Sequence, residues 1–277
     1  MKALGTCHAL AKLKLCLGIW IIWVAPAQAV DTEADCAWKS LFNGKDLSGW
    51  IPKVRGYAAG ENPHDTFRVQ DGLLTVAYEG YTAFDEQFGH LFYEKSYSRY
   101  RLRLDYRFIG EQLKGGPDWA WRNSGVMLHS PSPILMPEAQ DFPVSIEVQL
   151  LGGRGDGSAR STANLCTPGS TVFLNGKFDD RHCIESSSPT FDGDQWVHLE
   201  VLVLDDQRVV HTVNSEQVLE YSGLRAGGGA VSGNRPELTP DDSPMTEGYL
   251  SLQSESHPVQ FRNIELLDLV ACPRLAP

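Results

Sequence analysis

Tyr100-Arg101-Leu102-Arg103-Leu104-Asp105-Tyr106-Arg107-Phe108 alternates charged and ring-bearing or aliphatic side chains without a break. A period of two is the signature of a strand with one buried and one wet face, because successive side chains leave a strand on opposite sides. The same rhythm recurs in both directions along the chain. Ser124 to His129, Val144 to Leu150, Val197 to Leu204, Arg208 to Val213, Gly248 to Gln253 and Gln260 to Leu267 all read as strands. Thr66 to Gln70 and Leu73 to Val76 flank Asp71-Gly72, a hairpin turn signal. No stretch shows a convincing helical apolar stripe. Short strands punctuated by Gly, Pro and Asp predict an all-β fold, a two-sheet antiparallel jelly-roll sandwich.

Three stretches interrupt the strands: residues 109–122, 152–190 and 222–247, the last containing Gly227-Gly228-Gly229. They read as long loops at the sheet ends, and loops of that length in a compact domain are usually functional.

The chain has 277 residues, with 24 basic and 35 acidic side chains and a formal charge of −11. Lys2, Lys12 and Lys14, the apolar run Leu15 to Val24 and Ala27-Gln28-Ala29 form the three parts of a signal peptide, so residues 1–29 are expected to be cleaved. The apolar run is shorter than the ~20 residues of a spanning helix. Cleavage removes three lysines and leaves residues 30–277 at −14, expected to form a single domain that is periplasmic or secreted and does not span a membrane. So acidic a chain, with no basic run, suits neither nucleic acid nor an anionic membrane surface. A neutral sugar remains compatible with it. Cys36, Cys166, Cys183 and Cys272 stay in the mature chain. In an oxidising compartment they are expected to pair as Cys36–Cys272, joining the two ends, and Cys166–Cys183, closing a local loop.

Alternation also sorts the polar residues. Glu147 and Gln149 share one face of their strand, opposite Ile146, Val148 and Leu150. Asn123, Met127 and His129 fall on one side of the preceding segment, and Ser251, Gln253 and Glu255 on one side of a third. If these strands are neighbours, they make a concave polar floor on which a glycan could lie. The competing reading is a face that simply meets solvent, as antiparallel sheets allow. Trp119, Trp121, Tyr57 and Tyr81 are the rings available for stacking on a sugar.

The segment Ser40-Leu41-Phe42-Asn43-Gly44-Lys45-Asp46-Leu47-Ser48-Gly49-Trp50 resembles the opening motif of the 3-keto-disaccharide hydrolase family. Arg122-Asn123-Ser124-Gly125, Ile146-Glu147-Val148-Gln149, Trp196-Val197-His198-Leu199-Glu200, Leu252-Gln253 and Val259 to Leu266 continue the resemblance over residues 38–268. It implies a concanavalin A-like jelly roll, usually exported, some of whose members cleave 3-keto-glycosides. Two departures stand out. Asn214-Ser215 replaces the usual Asn-Gly, and Ser254, Glu255 and Ser256 separate the Leu-Gln pair from His257.

The chemistry so implied is removal of the C2 proton, acidic because it lies alpha to the C3 ketone, followed by β-elimination at C1 and later addition of water. It needs a base, an enolate stabiliser and an acid. The candidates are Glu147 as base or metal ligand, His129 as acid and Arg122 as the enolate partner. Asn123, Gln149, Gln253, Glu255, His257 and Trp121 would contact the sugar. Carboxylates and amides would also suit a divalent cation such as calcium, although no calcium-loop motif is present. The alternatives are a non-catalytic carbohydrate-binding module using the same face, and an envelope interaction domain without a small ligand.

Overall fold

The computed structural model describes residues 36–277; the expected leader, residues 1–29, lies outside them. Two antiparallel sheets face each other. The larger runs in spatial order Lys177–Asp179, Ser170–Leu174, Glu216–Ala226, Arg208–Val213 and Val197–Leu204. It continues through Arg99–Phe108, Val259–Asp268, Leu73–Val76 and Phe67–Gln70, while Lys39–Ser40 pairs with Val259–Asp268. The smaller runs Cys183–Ile184, Asn164–Cys166, Ile146–Leu151, Asn123–Ser130, Gly248–Ser254, Gly89–Tyr97 and Trp50–Val54. This is the all-β, jelly-roll sandwich expected from the alternation.

The strand Arg99–Phe108 shows why. Tyr100, Leu102, Leu104, Tyr106 and Phe108 are buried against Val126, Leu128, Val148, Leu150 and Leu252 of the facing sheet. Full burial of each such side chain contributes about 1.5–3 kcal/mol. On the outer face Arg99, Arg101 and Arg103 pair with Asp205, Glu200 and Glu265 at 2.6–2.8 Å. Those pairs are partly exposed and contribute little each, ~0–1 kcal/mol.

Asp71 (φ 53°) and Gly72 (φ 77°) build the expected hairpin turn, and Asn214 (φ 48°) and Ser215 (φ 72°) build a second of the same kind. Both disulfides, Cys36–Cys272 and Cys166–Cys183, are present. In the opening motif Trp50 is buried and its Nε1 donates to the Leu41 carbonyl (2.8 Å), while Asn43 and Asp46 tie the intervening turn. That motif is structural. Arg262 and Asn263 likewise hold the last long strand, both donating to Asp105 (3.0 and 2.8 Å), whose other oxygen bonds His198 (2.7 Å).

Two readings need correction. Residues 152–190 are not one loop: Asn164–Cys166, Ser170–Leu174, Lys177–Asp179 and Cys183–Ile184 lie within them. These strands are too short, and too interrupted by Gly, Pro and Asp, for alternation to register. Gly89–Tyr97, Trp50–Val54 and Glu216–Ala226 also form strands that alternation did not reveal. Gly89–Tyr97 is apolar on both sides over its first half, and Pro52 and Lys53 sit inside Trp50–Val54.

Candidate functional site

The smaller sheet turns its apolar face to the core, and its other face carries the polar side chains. Directly opposed pairs run across it: Lys53 with His90, His90 with Gln253, Gly125 with Gln149 and Gln149 with Asn164. One step along the strands, Ser251 faces Met127, Met127 faces Glu147, and Glu147 faces Cys166. Three strands expected to share a polar face are therefore adjacent, and most side chains of that face are buried. Asn123, Glu147, Ser251, Gln253, Glu255 and His257 are each 6% exposed or less. Over part of this face lies a cavity of about 630 Å³ lined by Asn123, Glu147, Gln149 and Glu255, with Trp119 and Phe142 on its walls.

Local backbone explains how the acids get there. Glu255 follows the strand Gly248–Ser254, where Ser256 adopts φ 85° and turns the chain. The turn is fastened on several sides: the Tyr78 hydroxyl bonds Ser254 Oγ (2.7 Å) and accepts from the Ser256 amide (2.8 Å), and Gln112 donates to Ser256 Oγ (2.9 Å). His257, beyond it, has its ring centroid 5.7 Å from those of Trp121 and Phe108. The extra residues between Gln253 and His257 thus keep the histidine near the floor and add Glu255 to it.

Electrostatics set the two carboxyls apart from ordinary ones. Burial pushes the Glu147 carboxyl up, and burial together with the Glu147 charge pushes Glu255 up further. Two carboxyls that sense each other in a desolvated site tend to share one proton. His257 moves the other way, to about 4, through burial and the Arg122 and Arg160 guanidiniums, so it is neutral at pH 7.

Many floor groups lack a protein partner among the described residues: both amide atoms of Gln253, both ring nitrogens of His257, Asn123 Oδ1, Glu255 Oε2 and Ser251 Oγ. Leaving one buried polar group unpaired costs about 1–3 kcal/mol. Such a concentration marks a surface built for a ligand rich in donors and acceptors.

The expected residues divide accordingly. Asn123, Glu147, Gln149 and Glu255 line the cavity, with Gln253 beside them. Arg122 and Trp121 sit at the margin near His257: the guanidinium lies 5.1 Å from the Trp121 ring and donates to the Gly193 carbonyl. Trp119, half exposed, is the ring on the cavity wall; Trp121 is not. His129 is elsewhere. Its backbone is left-handed (φ 56°), which breaks the alternation and aims the ring between the sheets, where Nδ1 meets the Met245 carbonyl (2.6 Å) and the ring lies near Tyr100. Burial also lowers its pKa, and its ring does not line the cavity. Sequence reading missed His90 and Lys53. His90 is fully buried, has no partner on either ring nitrogen among the described residues, and packs 5.8 Å from the Phe142 ring.

The sequence model of the 3-keto-alpha-glucoside-1,2-lyase-like domain matches residues 37–267. The chain belongs to this family. The motif resemblance read from the sequence is thereby borne out. Among solved structures, this lyase-like domain is similar to a candidate glycosyl hydrolase from Parabacteroides distasonis, with 22% identity, coverage of 87% of this chain and 98% of that one, and a TM-score of 0.51. At that identity the likeness speaks for the fold alone. A second candidate glycosyl hydrolase from the same organism is 17% identical over 84% of this chain and 100% of that one, with a TM-score of 0.49. A Bacillus subtilis protein of unknown function with a galectin-like fold is 11% identical over 83% and 94%, also at 0.49. No curated protein shows significant similarity to the chain.

Proposed function

We propose that this protein cleaves 3-keto-glycosides by β-elimination, with Glu147 as the general base and Glu255 as the proton donor. The observation that carries this reading is the buried pair Glu147 and Glu255 lining one cavity, beside a floor of unpartnered amide and imidazole groups, in a chain of the 3-keto-alpha-glucoside-1,2-lyase-like family. Glu147 removes the C2 proton, and the C2–H electron pair forms an enolate with the C3 ketone. The enolate collapses to a C1=C2 double bond as the C1–O bond breaks, and the leaving oxygen takes its proton from Glu255. No electrons are gained or lost overall. Water adding across the double bond then completes net hydrolysis. Of the two, Glu147, at about 8, ionises first as pH rises while Glu255 keeps its proton, so the base and the acid that one site requires are present together on the alkaline side of neutrality.

The Gln253 amide N–H is the donor placed to stabilise the enolate oxygen, and Asn123 and Gln149 orient the hydroxyls. Asn164 donates to Gln149 Oε1 (3.2 Å), which leaves the Gln149 nitrogen to donate. Among the described residues no three His, Cys, Asp or Glu side chains converge as a metal-binding group. Gln253 Oε1 and Asn123 Oδ1 are hard oxygen donors, but with Glu147 acting as base and Glu255 as protonated acid the floor offers no carboxylate ligand to spare, and no step is assigned to a cation. The two disulfides fit an oxidising compartment, and we place the protein in the periplasm or outside the cell. Among the described residues no helix is long and apolar enough to cross a membrane.

The reading is tested by incubating purified protein with 3-keto-glycosides, with and without divalent cations, and following products by mass spectrometry. Release of the aglycone with 2-hydroxy-3-keto-glucal supports it. Ligand-induced thermal stabilisation with no product would instead favour a sugar-binding module on the same floor.

A further inference from the structure

We infer that the cavity has two chemically distinct ends, and that the end built on the Cys166–Cys183 disulfide receives an apolar, ring-bearing aglycone rather than a second sugar. This rests on reading the Glu147 end as the sugar site. Met127, Glu147, Cys166 and Cys183 lie directly opposite one another in four successive strands. Moving outward from Glu147, the next two positions of that row are therefore the two half-cystines, both of which line the cavity. A disulfide offers no donor and only weak acceptors, so this part of the floor cannot recognise hydroxyls. It is a polarizable, apolar surface suited to a ring.

The walls agree. Phe142 and Val231 line this cavity and pack against the main core, and Pro168 adds a third apolar surface. Several of the polar groups at this end are engaged within the protein. Asp141 accepts from the Ser232 amide (2.9 Å) and from Ser232 Oγ (2.7 Å). Asn164, in the neighbouring row, is occupied by Gln149, Ser161 and Ser186. His182 is the remaining titratable group there, and burial lowers its pKa. The buried, unpartnered side-chain atoms that line the cavity belong to Asn123 and Glu255, at the other end.

Size and solvation then choose the occupant. About 630 Å³ lies within the range that holds a drug-sized ligand, which leaves space beyond one hexose ring. A second sugar would bring several hydroxyls over a disulfide, Pro168 and Val231, with chiefly His182 and Asp141 among the described residues to meet them, and each hydroxyl desolvated without a partner is costly. An apolar ring gains in proportion to the area it buries.

The test compares benzyl, methyl and glucosyl 3-keto-glucosides, by kcat/KM on the wild-type protein and by calorimetric Kd on Glu147→Gln. Benzyl and methyl alcohols are leaving groups of similar acidity, so their difference reports the aglycone site. The benzyl compound should be preferred over the methyl one by roughly 10- to 100-fold in both measurements. Val231→Ser or Phe142→Ala should shrink that ratio several-fold. Equal values for benzyl and methyl, a ratio indifferent to both substitutions, or tightest binding of the glucosyl compound would each overturn the inference, as would no binding of any of the three. A benzyl preference in Kd without turnover would sink the lyase mechanism while leaving the apolar end standing.

Discussion

A Cβ atom placed on Gly125 would stand 2.7 Å from Oε1 of Glu147 and 3.1 Å from Oε1 of Gln253. Gly125 is therefore the notch through which the Glu147 side chain reaches across its neighbouring strand towards Gln253. Its backbone is not left-handed, so alanine would strain no backbone and would press first on the Glu147 side chain and then on the Gln253 amide. Gly125→Ala should leave the melting temperature within a few degrees of wild type yet reduce kcat by about 100-fold, the scale expected for a base displaced by roughly 1 Å. Unchanged turnover would show that the position of Glu147 does not matter to the reaction.

The two raised carboxyls also predict how stability depends on pH. A group whose folded-state pKa lies above its unfolded value binds its proton more tightly in the folded protein. The stability it contributes is full below the unfolded pKa, near 4.5, and is lost as pH rises through the folded value, about 8 for Glu147. Replacing Glu147 or Glu255 by Gln removes that loss. Each variant should lose turnover but melt a few degrees above wild type at pH 8, with little difference at pH 4.5. Thermal scans at the two pH values decide the matter. Equal shifts at both would mean the carboxyls are not kept protonated by the fold.

How much of this could be read beforehand differs residue by residue, for physical reasons. Glu147, Gln149, Asn123 and Gln253 sit in strands whose apolar partners alternate cleanly, so their shared face followed from period two alone. His129 lies at the end of the same kind of run, but its left-handed backbone reverses the direction in which its ring points, and one-dimensional spacing carries no trace of that. His90 and Lys53 were hidden because Gly89–Tyr97 has apolar residues on both sides over its buried half: Leu91 faces the core, and Phe92 lies on the same face as the floor. The disulfides were legible because an even set of four cysteines fell into one local and one terminal pair.

Asp105 gathers His198, Arg262 and Asn263 on its two oxygens, from two different strands. Burial pushes its carboxyl up, but the bonds from His198, Asn263 and Arg262 outweigh it and hold the pKa below the usual value. A depressed group contributes stability above its unfolded pKa and loses it as pH falls through the folded one. Asp105→Ala should lower stability at pH 7 by about 1–3 kcal/mol, read from urea unfolding, and by less at pH 3. A cost independent of pH would assign the effect to packing rather than to charge.

The hairpin between Arg208–Val213 and Glu216–Ala226 turns at Asn214 and Ser215, both with positive φ. Such a turn prefers glycine at its second position, because a side chain in the left-handed region is strained. Ser215→Gly should raise stability by about 0.5–1 kcal/mol without touching activity, since this turn belongs to the larger sheet. A loss of stability on denaturant unfolding would mean that the serine side chain does more than tolerate the turn.

The Cys36–Cys272 bond spans 236 residues of sequence, and beside it Lys39 and Ser40 pair with Leu266 and Glu265. From cysteine to cysteine the polypeptide is thus a closed ring, and the covalent order of its strands has no privileged starting point. Loop-closure arguments put the loss of unfolded-state freedom at about 5 kcal/mol for a ring of this size. A permuted gene that joins the present ends and opens the chain between Arg235 and Thr239 would keep every strand neighbour. A protease cut in that same exposed segment would leave two fragments tethered as one molecule, so proteolysis there would alter its migration on a gel only after reduction.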